Sequence, residues 1–347
     1  MTRFEKLALV VVFGVAVLAV LARVAGVEEQ LVFVISAVAV AGLAWALGRA
    51  TEQVGESAGP RVSALLNASF GNLPEVVILV LAINAGLADI ARASIVGSVI
   101  GNVLLILGLS LMLGGWKNGI QTFNERVAGM NTSMLVLAVI LLSIPSLFWA
   151  LGHDPEGINL LSRWTALALL ISYIAYLVFS FTTPGLQFID EAGELSWSRP
   201  VALALLAATA VATGVVSELL VHSIEPTIKA WGVPRVFIGL IVVPFVGNVA
   251  EHFSAVKLAI NNRMDFAMGI AYGSGIQVAL LASSIAVLAS ILVGKELTLV
   301  FEPLELAALG AGALVSMLVA RGGETNWLEG LQLLTIYVIV AVSVWLL

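Results

Sequence analysis

Two glutamates, Glu75 and Glu251, stand in strongly apolar runs, followed by Val76-Val77-Ile78-Leu79 and by Phe253-Ser254-Ala255-Val256. Carboxylates are costly inside a membrane and mark function by default; an interfacial position or a permanently protonated packing role is the bland alternative. Asn72 and Asn248 each lie three residues earlier. That spacing puts amide and carboxylate on one helix face, although an Asn can also serve only to bond helices together. Gly71, Pro74, Pro244 and Gly247 flank the acids. They loosen helical hydrogen bonding and can free carbonyl oxygens toward a cavity, or simply kink the helix. Ser98 and Asn102 share a face at i, i+4, as do Ser274 and Gln277 at i, i+3. Glu52 and Glu218 are placed to line an aqueous route or relay protons, or to be ordinary interfacial acids, and His252 adjoins Glu251. Carboxylates, amides, hydroxyls and freed carbonyls form a hard oxygen set. It suits Ca²⁺, with 6–8 oxygens, and Mg²⁺, Mn²⁺ or Na⁺ less selectively. Two glutamates neutralise one divalent cation. Emptied, they repel each other, and protons take the same oxygens. Such competition is a physical basis for cation/proton exchange.

The elements that must hold these groups are membrane helices. Of 347 residues 60% are hydrophobic and 11% charged, far from a soluble domain with about 25% charged. A disordered chain, a nucleic-acid binder and a large soluble catalytic domain are excluded; the net charge of −6 offers no basic footprint for nucleic acid. With no Cys there are no disulfides, thiol nucleophiles or Cys-based metal sites. Windows of about 19 residues predict eleven spans, near 7–25, 31–50, 60–83, 90–114, 129–151, 162–182, 199–222, 234–260, 266–293, 299–319 and 327–347. The short loops leave no room for a separate domain. With a cytoplasmic N-terminus, that side carries ten Lys/Arg, among them Arg3, Lys6, Arg49 and Arg321, against six opposite. The positive-inside rule then places the C-terminus outside.

The chain also repeats itself. Gly71-Asn72-Leu73-Pro74-Glu75 recurs as Gly247-Asn248-Val249-Ala250-Glu251, displaced by 176 residues, and Gly97-Ser98 as Gly273-Ser274. Pro60-Arg61-Val62 recurs as Pro234-Arg235-Val236, Leu81-Ala82-Ile83-Asn84 as Leu258-Ala259-Ile260-Asn261, and Thr51-Glu52 with Ser57 is echoed by Ser217-Glu218 with Ser223. The predicted layout is all-α: one extra N-terminal helix (1–28), a five-helix repeat (29–182), an acidic linker (183–198) with Asp190, Glu191 and Glu194, and a second five-helix repeat (199–347). Five is odd, so the second repeat is inverted. Inverted repeats place their substrate site at the midplane.

At these motifs the chain resembles the Ca²⁺/H⁺ antiporter (CAX) family of the cation/Ca²⁺ exchanger superfamily over nearly its whole length. Gly247-Asn248-Val249-Ala250-Glu251-His252 resembles the family's second GNxxEH signature, Gly71-Asn72-Leu73-Pro74-Glu75 the first, and Gly273-Ser274-Gly275-Ile276-Gln277 its Ser/Gln segment. The resemblance implies that Glu75 and Glu251 bind Ca²⁺ and alternate with protons. It implies supporting roles for Asn72, Asn248, Ser98, Asn102, Ser274 and Gln277, a proton-linked role for His252, and hydrophilic-pathway positions for Glu52 and Glu218. Pro74 departs from the family pattern toward that of Na⁺/Ca²⁺ exchangers, and the linker is short and weakly acidic.

The expected activity is therefore transport rather than enzymatic catalysis. It is a secondary active Ca²⁺/H⁺ antiporter exporting Ca²⁺, with Ca²⁺ as cargo and no cofactor. The expected partners are Ca²⁺, H⁺ and the lipid bilayer, with no nucleic acid; a homo-oligomer stays open. The absence of targeting tails points to a prokaryotic plasma membrane. Na⁺/Ca²⁺ or another cation/H⁺ exchange on the same fold is the alternative. A cation channel or an intramembrane hydrolase fits less well, since no Ser–His pairing is evident and hydrolysis leaves the repeat unexplained.

Overall fold

The computed structural model describes residues 1–58, 66–67, 69–152, 154–183 and 197–347. The acidic cluster Asp190, Glu191 and Glu194 and the repeated Pro60-Arg61-Val62 lie outside the described residues. The described chain is helical apart from one antiparallel pair of two-residue strands, Gln121–Thr122 with Glu324–Thr325. The helices are α1 (Arg3–Val24), α2 (Glu29–Ala58), α3 (Leu73–Asn84), α4 (Ala88–Asn118), α5 (Glu125–Ala150) and α6 (Pro155–Thr182). Then come α7 (Arg199–Trp231), α8 (Arg235–Gly247), α9 (Val249–Ile260), α10 (Met264–Val293), α11 (Pro303–Val319) and α12 (Trp327–Trp345). Their ends carry ordinary start and stop chemistry. Thr2 with Glu5 and Asn326 with Glu329 form capping boxes, while Gly232 and Gly294 close helices in the left-handed conformation.

Eight described helices are long and apolar enough to cross a membrane, and a ninth span is the pair α8 and α9 taken together. The chain is a multi-pass membrane protein. Two expectations change. The run 234–260, predicted as one span, is broken at Asn248, with α8 and α9 bent by 62°. Asn72 and Asn248 also lie just outside the helices that carry their glutamates, Asn72 at the N-cap position of α3 and Asn248 in the break. Pro74 explains the first case, since proline is accepted in a helix's opening turn but not in its interior.

The chain forms two compact units, each drawn from both halves of the sequence. Unit 1 comprises 1–85, 189–233 and 246–250. In it α2 packs along α7, α1 lies on α2, and α3 lies on α7. Leu9, Leu47, Ala50 and Val54 meet Trp197, Ala202 and Leu206 in an apolar cluster. Above this cluster is a polar clasp. Buried Glu5 accepts from Arg49 (2.9 Å) and from the Trp197 indole N–H (3.2 Å), while Gln53 accepts the Trp197 backbone N–H (2.9 Å). Glu5→Ala leaves the indole donor buried without its acceptor. We expect a loss of about 1–3 kcal/mol, read as a lowered unfolding temperature in detergent.

Unit 2 comprises 86–188, 234–245 and 251–347. Its centre is α4, whose apolar residues from Ile90 to Leu111 are buried except for the half-buried Leu105 and Leu109. Helix α8 crosses α4 at backbone contact: a Cβ on Gly97 would overlap the Leu240 carbonyl, and one on Gly239 would lie 2.9 Å from the Ile90 carbonyl oxygen. The crossing is fastened at its end by a fork in which Arg235 donates to Asp89 from Nε (2.6 Å) and Nη2 (3.1 Å). Three π-helical stretches interrupt unit 2: Gly101–Ile106 in α4, Ile238–Val242 in α8 and Val278–Ala282 in α10. The first begins four residues after Gly97 and the third five residues after Gly273, so both follow the repeated Gly-Ser pairs.

Candidate functional site

At each repeated motif a Gly-Asn pair stands immediately before a helix that carries a carboxylate in its opening turn, and at the second motif α8 stops at that pair. Glu75 stands in the first turn of α3 and Glu251 in the first turn of α9. A helix start presents free N–H groups and the positive end of the helix dipole, both of which favour an anionic side chain. A broken helix also exposes carbonyl oxygens that regular hydrogen bonding would consume.

In unit 1, Glu75 and Asn72 are buried, at 5% and 6% exposure, and Asn248 is buried at 2%. The glycine of the second motif faces the glutamate of the first. A Cβ on Gly247 would stand 3.2 Å from Glu75 Cγ and 3.3 Å from its Cδ and Oε1. The two motifs therefore meet in this unit, and Gly247 has a packing role in addition to loosening its helix. Glu52 and Glu218 are not brought to this place. Glu52 is exposed and paired with Arg49 (2.9 Å), and Glu218 is exposed on α7.

In unit 2, Glu251 buries its Oε2 atom with no hydrogen-bond partner among the described residues. His252 is buried and stacks on Phe245 with ring centroids 5.2 Å apart. Ser98 and Asn102 are buried on α4, where Asn102 Nδ2 donates to the Ser98 carbonyl (2.8 Å). Ser274 is buried and Gln277 half-buried on α10. A Cβ on Gly275 would touch Asn102 Cβ at 3.5 Å, so the two hydroxyl–amide segments lie against each other. Asn102 lies inside one π stretch and Gln277 immediately before another. Such insertions expose backbone oxygens and concentrate at functional sites. Among the described residues no three His, Asp or Glu side chains converge on one point.

Sequence reasoning did not find the Glu5–Arg49–Trp197 clasp or the Asp89–Arg235 fork, whose partners have no shared motif. The repeat displacement did contain a signal for the close approach of Gly247 to Glu75, since it pairs the two motifs.

The chain matches the family described as sodium/calcium exchanger protein over residues 29–182 and 201–346. It is 37% identical to the Ca(2+)/H(+) antiporter ChaA of Bacillus subtilis over 327 residues, covering 92% of this chain and 93% of that one. It is 33% identical to the Ca(2+)/H(+) antiporter of Aphanothece halophytica over 341 residues, covering 91% and 90%. Its fold is similar to the solved structure of native YfkE, with a TM-score of 0.86 and 35% identity across 98% of this chain and 99% of that chain. Matched over both halves of the sequence, each with its Gly-Asn-x-x-Glu motif, this chain belongs to the sodium/calcium exchanger protein family.

Proposed function

We propose that this protein is a secondary active Ca²⁺/H⁺ antiporter that exports Ca²⁺ from the cytoplasm, with Ca²⁺ and protons competing for Glu75 and Glu251. The observation that carries the reading is the duplicated carboxylate at a helix start, one copy packed against the bare Gly247 of the other motif. Relatives more than 30% identical over nine-tenths of the chain bear the Ca(2+)/H(+) antiporter name, which favours H⁺ over Na⁺ as the counter-ion. Asn72, Asn248, Ser98, Asn102, Ser274 and Gln277 supply neutral oxygens to the dehydrated cation. His252 adjusts proton occupancy beside Glu251, and the exposed Glu52 and Glu218 gather cations toward the pathway. Ca²⁺ is cargo, and the cycle calls for no resident cofactor.

When one aqueous face supplies Ca²⁺ at low proton activity, the deprotonated carboxylates take the cation. On the acidic face protons replace it, and the neutralised site returns. The architecture behind this reading is eleven spans, counting α3 and α11, arranged as α1 followed by two inverted five-helix repeats. The N-terminus is cytoplasmic and the C-terminus outside a prokaryotic plasma membrane. Proteoliposomes loaded at acidic pH and diluted into alkaline buffer are expected to accumulate Ca²⁺ while exporting protons. Accumulation driven by a Na⁺ gradient at equal pH, and none by a pH gradient, would transfer the protein to Na⁺/Ca²⁺ exchange.

A further inference from the structure

Many hydroxyls within these helices bond back to a carbonyl of their own helix, as Thr51 does to Leu47 (2.8 Å), Thr132 to Ala128 (3.0 Å) and Ser223 to Leu220 (2.8 Å). Thr209, Thr213 and Ser217 of α7 do not. All three are fully buried at 0% exposure, and their hydroxyl oxygens have no hydrogen-bond partner among the described residues. Ser36, on the buried face of α2, is in the same condition, and α2 is the helix packed along α7. A buried hydroxyl without a partner is destabilising, and local back-bonding is the ordinary remedy. Three in register that forgo it mark a face whose proper partner is missing from this conformation.

Their spacing indicates the partner. Successive hydroxyls four residues apart rise by about 6 Å along the helix, close to the span of two hydrogen bonds sharing one water. The buried α7 residues from Ala202 to Val221 include no charged side chain. Without a carboxylate this face cannot compensate a divalent cation, whereas a chain of waters and hydroxyls passes a proton by accepting on one side and donating on the other. Helix α3, which carries Glu75 in its first turn, packs on α7 in the same unit. We propose that Thr209, Thr213 and Ser217 line a proton path along α7 that is closed in the conformation seen here and opens to water in another conformation of the cycle. The proton assignment rests on the antiport reading; the wetting does not.

The chain contains no cysteine, so single cysteines at 209, 213 and 217 report directly on water, because a thiol reacts with a charged methanethiosulfonate only as the hydrated thiolate. Labelling is compared at one pH with Ca²⁺ and with chelator. Each of the three is expected to react at least about tenfold faster in one of the two conditions than in the other. Val211→Cys on the exposed face and Ser223→Cys, whose native hydroxyl is already satisfied, are expected to remain slow in both. Uniformly slow labelling at all three positions, or rates equal to that at Val211→Cys, would overturn the path. In proteoliposomes Thr213→Val, which keeps shape and removes the hydroxyl, is expected to slow proton-driven Ca²⁺ uptake about tenfold. Equilibrium Ca²⁺ binding should stay within twofold, and Thr213→Ser should restore the rate. Where the valine variant fails to insert, Ser217→Ala removes a single oxygen and carries the same expectation. A wild-type rate in the hydroxyl-free variant, or no rescue by serine, would overturn the proton role even with labelling intact. A wild-type protein indifferent to a pH gradient would remove the antiport reading, and the proton assignment with it, through a separate measurement.

Discussion

Glu251→Gln is expected to abolish pH-driven Ca²⁺ uptake, and Glu75→Gln to do the same. The amide keeps the size and one oxygen of the side chain but removes the charge. A dehydrated Ca²⁺ would then face one carboxylate in place of two. Leaving a buried charge without its partner costs about 3–5 kcal/mol, and each 1.4 kcal/mol is about tenfold in an equilibrium constant. Ca²⁺ binding should therefore weaken by about a hundredfold or more. The same change removes the group that a proton would occupy, so both halves of the exchange fail together. The measurements are Ca²⁺ binding by calorimetry and uptake into proteoliposomes, with the elution profile as a check on folding. Glu324→Gln, on the exposed second strand of the small sheet, should transport like the wild type. Uptake by Glu251→Gln within tenfold of the wild type would sink the assignment of this residue.

Gly97→Ala is expected to be among the most destabilising single-methyl changes in the molecule. The added carbon would overlap the Leu240 carbonyl and come within 2.7 Å of Pro244 Cγ, and a backbone carbonyl in a packed helix has nowhere to retreat. Overpacking usually costs about 1–3 kcal/mol, occasionally more, and this site belongs at the upper end because α8 as a whole must shift. Gly101→Ala, one turn further on, meets nothing within 4 Å and has ordinary helical angles (φ −57°, ψ −45°). It should be neutral or gain roughly 0.5–1 kcal/mol. Thermal unfolding in detergent, followed by size-exclusion chromatography, would separate the two. Equal unfolding temperatures for the pair would contradict the close crossing of α4 and α8.

That pair of glycines marks a limit of sequence reading. Gly97-x-x-x-Gly101 looks like a two-glycine packing motif, but only Gly97 is in close contact. Which face of α4 meets α8 depends on helix rotation, and spacing alone does not fix rotation. The helical class and the two acidic motifs were legible because hydropathy and a long displaced repeat survive averaging along the chain. The break at Asn248 was not, because a window of about 19 residues spreads one polar residue over its apolar neighbours. The clasp of Glu5, Arg49 and Trp197 was invisible for another reason. Its members come from three distant parts of the chain and become neighbours only when α1, α2 and α7 pack.

Unit 1 takes α1 to α3 from the start of the chain and α7 from well beyond its middle. During synthesis the face of α2 that bears Leu43 and Leu47 is complete long before the helix that covers it exists. At about 5–20 residues per second, roughly five to twenty seconds pass while α3 to α6 are made. Throughout that interval the nascent chain has only lipid or the insertion machinery to shield this face. A ribosome that stops after Thr182 releases α2 with α1 beside it but without α7. Two halves expressed as separate polypeptides must therefore find each other within the bilayer before either can complete unit 1.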